Sequence, residues 1–517
     1  MSQEMHSIQA APPTGVRRLA WESAFVVALV VGLLLVRRST WGWPLWLQVG
    51  TLLAAALVLF RTVTRPWFRE RYIGGGTATQ LGWVRVVVCA SLQVLALRFD
   101  ITKTLFVPIS FLREQGPLGW LFAHVPLELG LRNLFFLSAV RWIAVLSLAC
   151  GMIGLFTRPA LVIAAVTYTV FYYVQIAYTH FFHNGFLPLQ LLYTLCFLPC
   201  ADGLAIDARK RPEAPRSEKY GVALFTCVVV YGLTYFVCGM SKWFVQPFWA
   251  TGENLLRIFV IDSPVHIDHL FGLNLIPEYV RSGYPHWVFT PLAWAGILIE
   301  TSAIFLLFRY KSWRWIPLAI LGLHLGIYLG QKFTFVDCVV LTAAFVDIDR
   351  LRAKLGVGSL AGPASPAPAA ASRFVLAPVF AALILAGWVF SWETFPIASR
   401  WAMYAGRVDS TRIFYTVTWA IAPSGKRFAT DLTDEMNWIT APYWRDVMPF
   451  PNDRNPRVMA KVSQLLTNYA TLYGADHPER EKIDRFEFDF MIWDYGRDPK
   501  SATYGEIADR ILIPVSR

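Results

Sequence analysis

The chain has 517 residues, 56% of them hydrophobic and only 16% charged, with 21 Trp, 20 Tyr and 37 Phe. This balance excludes an ordinary soluble globular protein and places the chain in a lipid bilayer, its aromatic residues suited to interfacial belts. The net charge of +12 does not point to nucleic acid, because the basic residues sit in short connections between apolar runs, where membrane orientation accounts for them.

Runs of roughly 16 to 22 apolar residues can cross a bilayer as helices. They fall at 21–36, 44–60, 81–97, 135–156, 159–178, 185–200, 221–240, 287–308, 315–330, 333–346 and 374–390. The pattern predicts an α-helical polytopic membrane protein of about eleven spans, followed by a small C-terminal soluble α+β domain. Arg37 and Arg38 follow the first run directly and no small-x-small cleavage site appears, so that run reads as a retained span. With Arg17 and Arg18 in the cytoplasm, Arg61, Arg65, Arg69, Arg71, Arg158, Arg209, Lys210, Arg211, Arg350 and Arg352 share that side. The opposite connections carry far fewer basic residues, among them Arg98, Lys103 and Lys242. The expected placement is therefore the plasma (inner) membrane, N-terminus cytoplasmic and C-terminal domain outside. Cys89, Cys150, Cys196, Cys200, Cys227 and Cys338 lie in or beside apolar runs, so no extracellular disulfide framework is visible.

The connections divide the chain. Gly74-Gly75-Gly76 predicts a flexible joint between a two-span extension, 1–77, and the main bundle, 78–356. Stretches 99–134 and 243–286 are rich in Pro, Trp and Phe, too apolar for solvated loops and too broken for spans, and read as re-entrant or interfacial segments. A Pro/Ala linker and the last span occupy 357–392. Over 393–517 charge rises and alternation appears, predicting strands at 413–418 and 485–494 and a turn at Pro423-Ser424-Gly425. Between the strands, Asn455 caps a helix with Pro456 first, a face of Val458, Met459, Val462, Leu465, Leu466 and Tyr469, and Gly474 past its end.

Within or at the edges of the apolar runs lie Arg85, Arg141, His180, His183, Asn184, Lys242, Glu300, His324 and Asp337. Hydrocarbon excludes such groups unless they pair, snorkel or face a cavity. Lys242 closes a run apolar enough to span, so its ammonium either reaches the surface or is held as a neutral amine for chemistry. Glu300 has no partner in its own helix, leaving an interhelical pair or a protonated acid. His324 alone suits a hydrogen-bonded packing histidine, and the two arginines suit structural pairing. His180 and His183, three apart, and His266-Ile267-Asp268-His269 raise a metal site, but no cysteine joins them and spacing does not force convergence, so no metal is expected. No phosphate-cradling loop or serine nucleophile elbow is present.

Several of these residues carry a resemblance. His183-Asn184-Gly185-Phe186, then Leu198-Pro199-Cys200-Ala201-Asp202 and Ile206-Asp207, precede Tyr235-Phe236-x-x-Gly239-x-x-Lys242 and Trp249-x-x-Gly252. With Gly154-Leu155-Phe156-Thr157-Arg158-Pro159, Glu300 and Leu323-His324-Leu325, this order over roughly 78–350 resembles the HTTM domain shared with vitamin K-dependent gamma-carboxylases. The resemblance implies a membrane lysine, here Lys242, that deprotonates reduced vitamin K, a menaquinol- or phylloquinol-like quinol. Reaction with O2 then gives the epoxide and a base strong enough to take a glutamate γ-proton, and CO2 adds to the carbanion. It also implies that His183 and Asn184 orient the quinol, with His324, Glu300, Tyr235, Trp243 and Gly239 in the cofactor-binding set. Desolvation among Trp243, Phe236 and Phe248 would favour a neutral Lys242 amine. Three departures stand out: Ser241 precedes Lys242 where the carboxylases have a second lysine, their Asn-His order appears here as His183-Asn184, and 392–517 is far shorter than their luminal region, against a propeptide-directed enzyme of the animal type.

Two readings follow. One is an integral-membrane enzyme that oxidises a lipid quinol, with the bilayer, an isoprenoid quinone and a protein or peptide substrate as partners. The other is a non-catalytic membrane scaffold or transporter-like protein whose soluble domain binds a partner, with Lys242 anchored at the interface. A lysine without an ion partner further predicts that Lys242→Ala is nearly neutral for stability.

Overall fold

Long apolar runs fold as helices because hydrocarbon leaves a backbone no partner but itself. In the computed structural model, which describes residues 15–40, 42–112, 116–178, 183–212, 214–244, 249–262, 275–308, 315–331, 335–356, 369–392, 394–396, 399, 410–429 and 456–515, helices dominate up to Val389. Among the described residues, seven are long and apolar enough to cross a membrane: Leu45–Val63, Ala78–Arg98, Leu134–Ile153, Thr157–Ala177, Glu218–Phe244, His286–Phe308 and Ala371–Val389. The other expected spans take different forms. Run 21–36 lies in the helix Gly15–Ser39, 185–200 shortens to Phe186–Phe197, and 315–330 forms Trp315–Gln331. Run 333–346 breaks into Val336–Thr342 and a 3-10 turn, Ala343–Phe345.

We label the helices used below α1 (Gly15–Ser39), α2 (Ala78–Arg98), α3 (Leu134–Ile153), α4 (Thr157–Ala177), α5 (Phe186–Phe197), α6 (Glu218–Phe244), α7 (Glu253–Asp262), α8 (Phe289–Ser302), α9 (Trp315–Gln331), α10 (Val336–Thr342), α11 (Leu376–Val389) and α12 (Pro456–Asp476). Polar caps set several ends. The Thr77 side chain accepts the Gln80 N–H at the start of α2, and Asn133 accepts that of Phe136 at the start of α3. Asp207 reaches across from a loop to cap α4, its two oxygens accepting the Phe156 and Thr157 N–H groups at 3.0 and 2.7 Å. Those bonds, the Thr157 N–H foremost, hold its carboxyl below the usual carboxylate range.

α6 is the central post: every residue from Tyr220 to Lys242 is buried. α8, α11 and α5 pack around it. Large apolar side chains elsewhere face outward, Phe135 at 83% exposure and Trp142 and Leu146 also exposed, an outer surface suited to lipid and not to water.

The glycine run 74–76, expected as a flexible joint, is instead paired. Gly76 and Ser217 exchange two backbone hydrogen bonds of 3.0 Å, and Arg216 Nε donates to the Gly75 carbonyl at 3.0 Å. Lack of side chains lets this stretch lie flush on the start of α6. Beside it Arg69 Nε donates to Glu218 Oε1 at 2.7 Å. Arg85, fully buried, donates to the carbonyls of Cys200 and Leu204 at 2.7 and 2.5 Å, and Arg141 pairs with Asp100 at 2.9 Å, so both arginines tie helix ends together. The described residues of the 99–134 stretch form 3-10 turns and one short helix, Gly116–Ala123.

The C-terminal region forms an antiparallel sheet of β1 (Arg412–Ile421), β2 (Arg427–Ala429), β3 (Arg485–Asp494) and β4 (Glu506–Pro514), in the order β2-β1-β3-β4. β1 pairs with β3 over its whole length, Arg412 opposite Asp494 and Ile421 opposite Arg485. Phe486 of β3 meets Tyr469 of α12 edge to face. α12 runs to Asp476, so Gly474 lies inside the helix and not past its end as expected. Asn455 falls outside the described residues.

Candidate functional site

One stripe of α6 carries Gly232, Tyr235, Gly239 and Lys242, spaced three and four apart and hence on one face. The two glycines admit α8 and its 3-10 continuation. A Cβ on Gly239 would stand 2.6 Å from Thr301 Oγ1 and 2.7 Å from Thr301 N, and one on Gly232 would stand 2.9 Å from the Ala303 carbonyl oxygen. At this close approach Lys242 Nζ meets Glu300 Oε2 at 2.5 Å, with the residues only 4% and 6% exposed. The ammonium also lies 5.3 Å from the centre of the Trp249 ring, a cation–π distance. Of the alternatives for Glu300, the interhelical pair is the one found. Lys242 has an ion partner, which removes the ground for expecting Lys242→Ala to be neutral.

Trp243, next in sequence, donates from Nε1 to Thr301 Oγ1 at 3.0 Å and stacks edge-on against Trp294. Behind the lysine, Ser241 Oγ donates to the Val237 carbonyl at 3.0 Å and accepts from Trp388 Nε1 of α11 at 2.8 Å. Arg37 of α1 stacks its guanidinium on Trp388 and Phe244, 4.4 and 4.7 Å from the ring centres. The N-terminal helix thus reaches the back of the lysine site through two intermediaries. Phe236 is fully buried in the bundle core. Phe248 lies outside the described residues, as do His180, His266 and His269.

Two turns before Lys242, the Tyr235 hydroxyl and His324 Nε2 are 2.8 Å apart, both residues buried, while His324 Nδ1 has no partner among the described residues. The imidazole is within electrostatic reach of Lys242. The Cys338 thiol lies against the Tyr235 hydroxyl and 3.8 Å from Asp337 Oδ2. Asp337 Oδ2 in turn accepts the Gly185 N–H at 2.7 Å. His183 Nε2 is 3.1 Å from Ser399 Oγ. The structure therefore brings Lys242 to Glu300 and Tyr235 to His324, sets Trp243 and Gly239 against Thr301, and places the 183–185 turn beside Asp337 and Ser399.

Thr301, Ser241, Trp388, Arg37 and Cys338 belong to this neighbourhood without having stood out in the sequence. Each is a common core or interface residue whose role depends on a partner many positions away. Only the glycine-lysine spacing on α6 hinted at the helix contact that Thr301 completes. No family model matches the chain, and neither does any curated protein or solved structure.

Proposed function

We propose that this chain is a multi-pass enzyme of the plasma (inner) membrane, N-terminus cytoplasmic and C-terminal domain outside, that oxidises a lipid quinol at Lys242 in the manner of HTTM-type vitamin K-dependent gamma-carboxylases. The observation that carries this reading is the Lys242–Glu300 pair: a lysine and a carboxylate 2.5 Å apart, almost without solvent, deep in a helical bundle. Charged groups at such depth are costly and are retained mainly where function uses them.

The neighbourhood fits a quinol chemically. Trp249, Trp243, Trp294 and Tyr235 make the surroundings aromatic, and the buried Nδ1 of His324, without a partner among the described residues, is a polar atom for a hydroxyl. When bound, a reduced quinone supplies acidic phenolic protons and two electrons, with O2 as the oxidant and CO2 as the co-substrate if glutamate is carboxylated. Lys242 Nζ donates to Glu300 Oε2 at 2.5 Å, so the carboxylate stands where it can take a proton from the lysine. Transfer of that proton to the carboxylate would leave a neutral amine able to take a phenolic proton from the quinol, the quinol oxygen keeping the negative charge beside the new ammonium. Trp249 holds the nitrogen in place and excludes water from it. His324, oriented by Tyr235, is placed to donate or accept the second hydrogen bond.

A second reading, a non-catalytic scaffold, draws on the same pair: an ammonium satisfied by a carboxylate and a tryptophan also makes a stable helix joint. The two are separated by supplying reduced menaquinone and O2 to the full chain in nanodiscs and following quinol loss. Wild type should consume quinol, and Lys242→Met/Glu300→Gln, which removes both charges together, should be at least about 100-fold slower. Equal turnover by the folded double variant removes Lys242 from the chemistry. A wild-type protein inert toward reduced quinones selects the scaffold.

A further inference from the structure

Asp337 is wholly buried and enters no ion pair among the described residues. Its Oδ2 accepts the Gly185 N–H at 2.7 Å, while Oδ1 has no partner among them. The hydroxyl of Tyr168, on α4, is also fully buried and unpartnered there. Gly185 joins the two. Its left-handed backbone, φ +81°, presents the N–H to Asp337, and a Cβ on it would stand 2.9 Å from the Tyr168 hydroxyl. The residue before it, Asn184, supplies a third buried oxygen without a partner among the described residues, Oδ1. Three elements thus bring unsatisfied oxygens to one glycine turn.

A buried carboxylate with a bare oxygen needs a compensating charge. Among the described residues the free donors here are all oxygens, and Nε2 of the His183 imidazole lies 3.1 Å from Ser399 Oγ. Hard oxygen ligands bearing a single negative charge suit a small hard monovalent cation, and not the softer metals that seek sulfur or imidazole. We infer that Asp337, Tyr168 and Asn184 form a binding site for a sodium-sized monovalent cation at the 184–185 turn. The cation site rests on these three oxygens and not on the quinol reading, in which the resemblance gives Asn184 another role.

The test uses the full chain in nanodiscs, with thermal unfolding followed in NaCl against choline chloride at equal ionic strength and fixed neutral pH, alongside binding of radioactive Na+. Wild type should gain melting temperature saturably with Na+ and bind the ion. Asp337→Asn should lose both responses, and Tyr168→Phe should weaken the apparent affinity roughly tenfold. Should Asp337→Asn fail to fold, Tyr168→Phe and Asn184→Ala carry the decision through the same affinity shift. The site is refuted if wild type melts identically in Na+ and choline, if the folded Asp337→Asn keeps the full Na+ response, or if only acidification stabilises wild type, the carboxyl then carrying a proton.

Discussion

Lys242 and Glu300 come from different helices, and each is buried because the other is present. Deleting one partner strands a charge away from water, whereas replacing both with neutral groups of similar volume removes the cost and the gain together. Lys242→Ala and Glu300→Ala should each destabilise the protein by about 3–5 kcal/mol, and Lys242→Met/Glu300→Gln by clearly less than either. Reversible unfolding of the purified protein in mild detergent measures this. Single-variant losses that simply add in the double variant would mean that the two side chains do not interact. The sequence made Lys242 conspicuous through its depth in an apolar run, and Glu300 likewise. It held nothing to join residues 58 positions apart, because a partner on another helix is fixed by packing and leaves no local periodicity. For the same reason Arg85 and Arg141 were legible as structural residues, while their acceptors, loop carbonyls and Asp100, were not.

At the scale of the element, α6 and α8 touch through atoms that Gly239 leaves room for. The nearest neighbours of a new side chain there are Thr301 Oγ1 and the Thr301 backbone nitrogen, and backbone cannot swing aside as a flexible side chain would. Gly239→Val should therefore cost about 1–3 kcal/mol through overpacking, and more if α8 tilts and lengthens the Lys242–Glu300 contact. Denaturant titration reads the stability, and tryptophan fluorescence reads Trp243, whose indole donates to the same Thr301. An unchanged midpoint would show that the helices part easily. Long apolar elements such as α2, α3, α4 and α6 were readable because about 20 apolar residues in a row admit little besides a helix. Runs 185–200 and 333–346 were read too long, since Pro199-Cys200 and the break after Thr342 stop the helix while apolar character continues. β3 was plain from its Phe-Glu-Phe-Asp-Phe alternation. β4 was missed because Glu506, Asp509 and Arg510 interrupt its apolar residues on a largely exposed edge strand. Glycine run 74–76 misled because the same residue serves freedom and close packing alike.

Across the whole molecule, the C-terminal domain lies on the end of the bundle where Lys242 sits. α12 reaches the bundle through Asn468, which donates to the Phe106 carbonyl at 2.6 Å, and β1 and β3 reach it through a second apolar cluster. That cluster joins Ile413, Met491, Trp493 and Tyr495 of the domain to Trp249, Leu256, Val260 and Phe289, with Trp243 packed against it. The Tyr504 hydroxyl donates to Glu278 at 2.6 Å at its edge. Trp249 thus has the Lys242 ammonium near its ring and the sheet's apolar residues in the same cluster, an arrangement in which the C-terminal sheet can buttress the residue beside the lysine. Trp493 is 1% exposed in this cluster and its indole donates to the Asp498 carbonyl at 2.8 Å. Trp493→Ala should cost the domain about 3–5 kcal/mol, the range for deleting a buried aromatic. Hydrogen exchange separates buttressing from mere attachment. If the domain supports Trp249, exchange in Trp493→Ala should quicken both in the sheet and in α7, while the buried middle of α6 stays protected by α8 and α11. Tyr504→Phe, which removes the exposed hydrogen bond to Glu278, should change α7 little, because such a bond contributes only about 0.5–1.5 kcal/mol. Quickened exchange confined to the sheet would mean that Trp249 is held by the bundle alone, and that the domain rests on the site without supporting it.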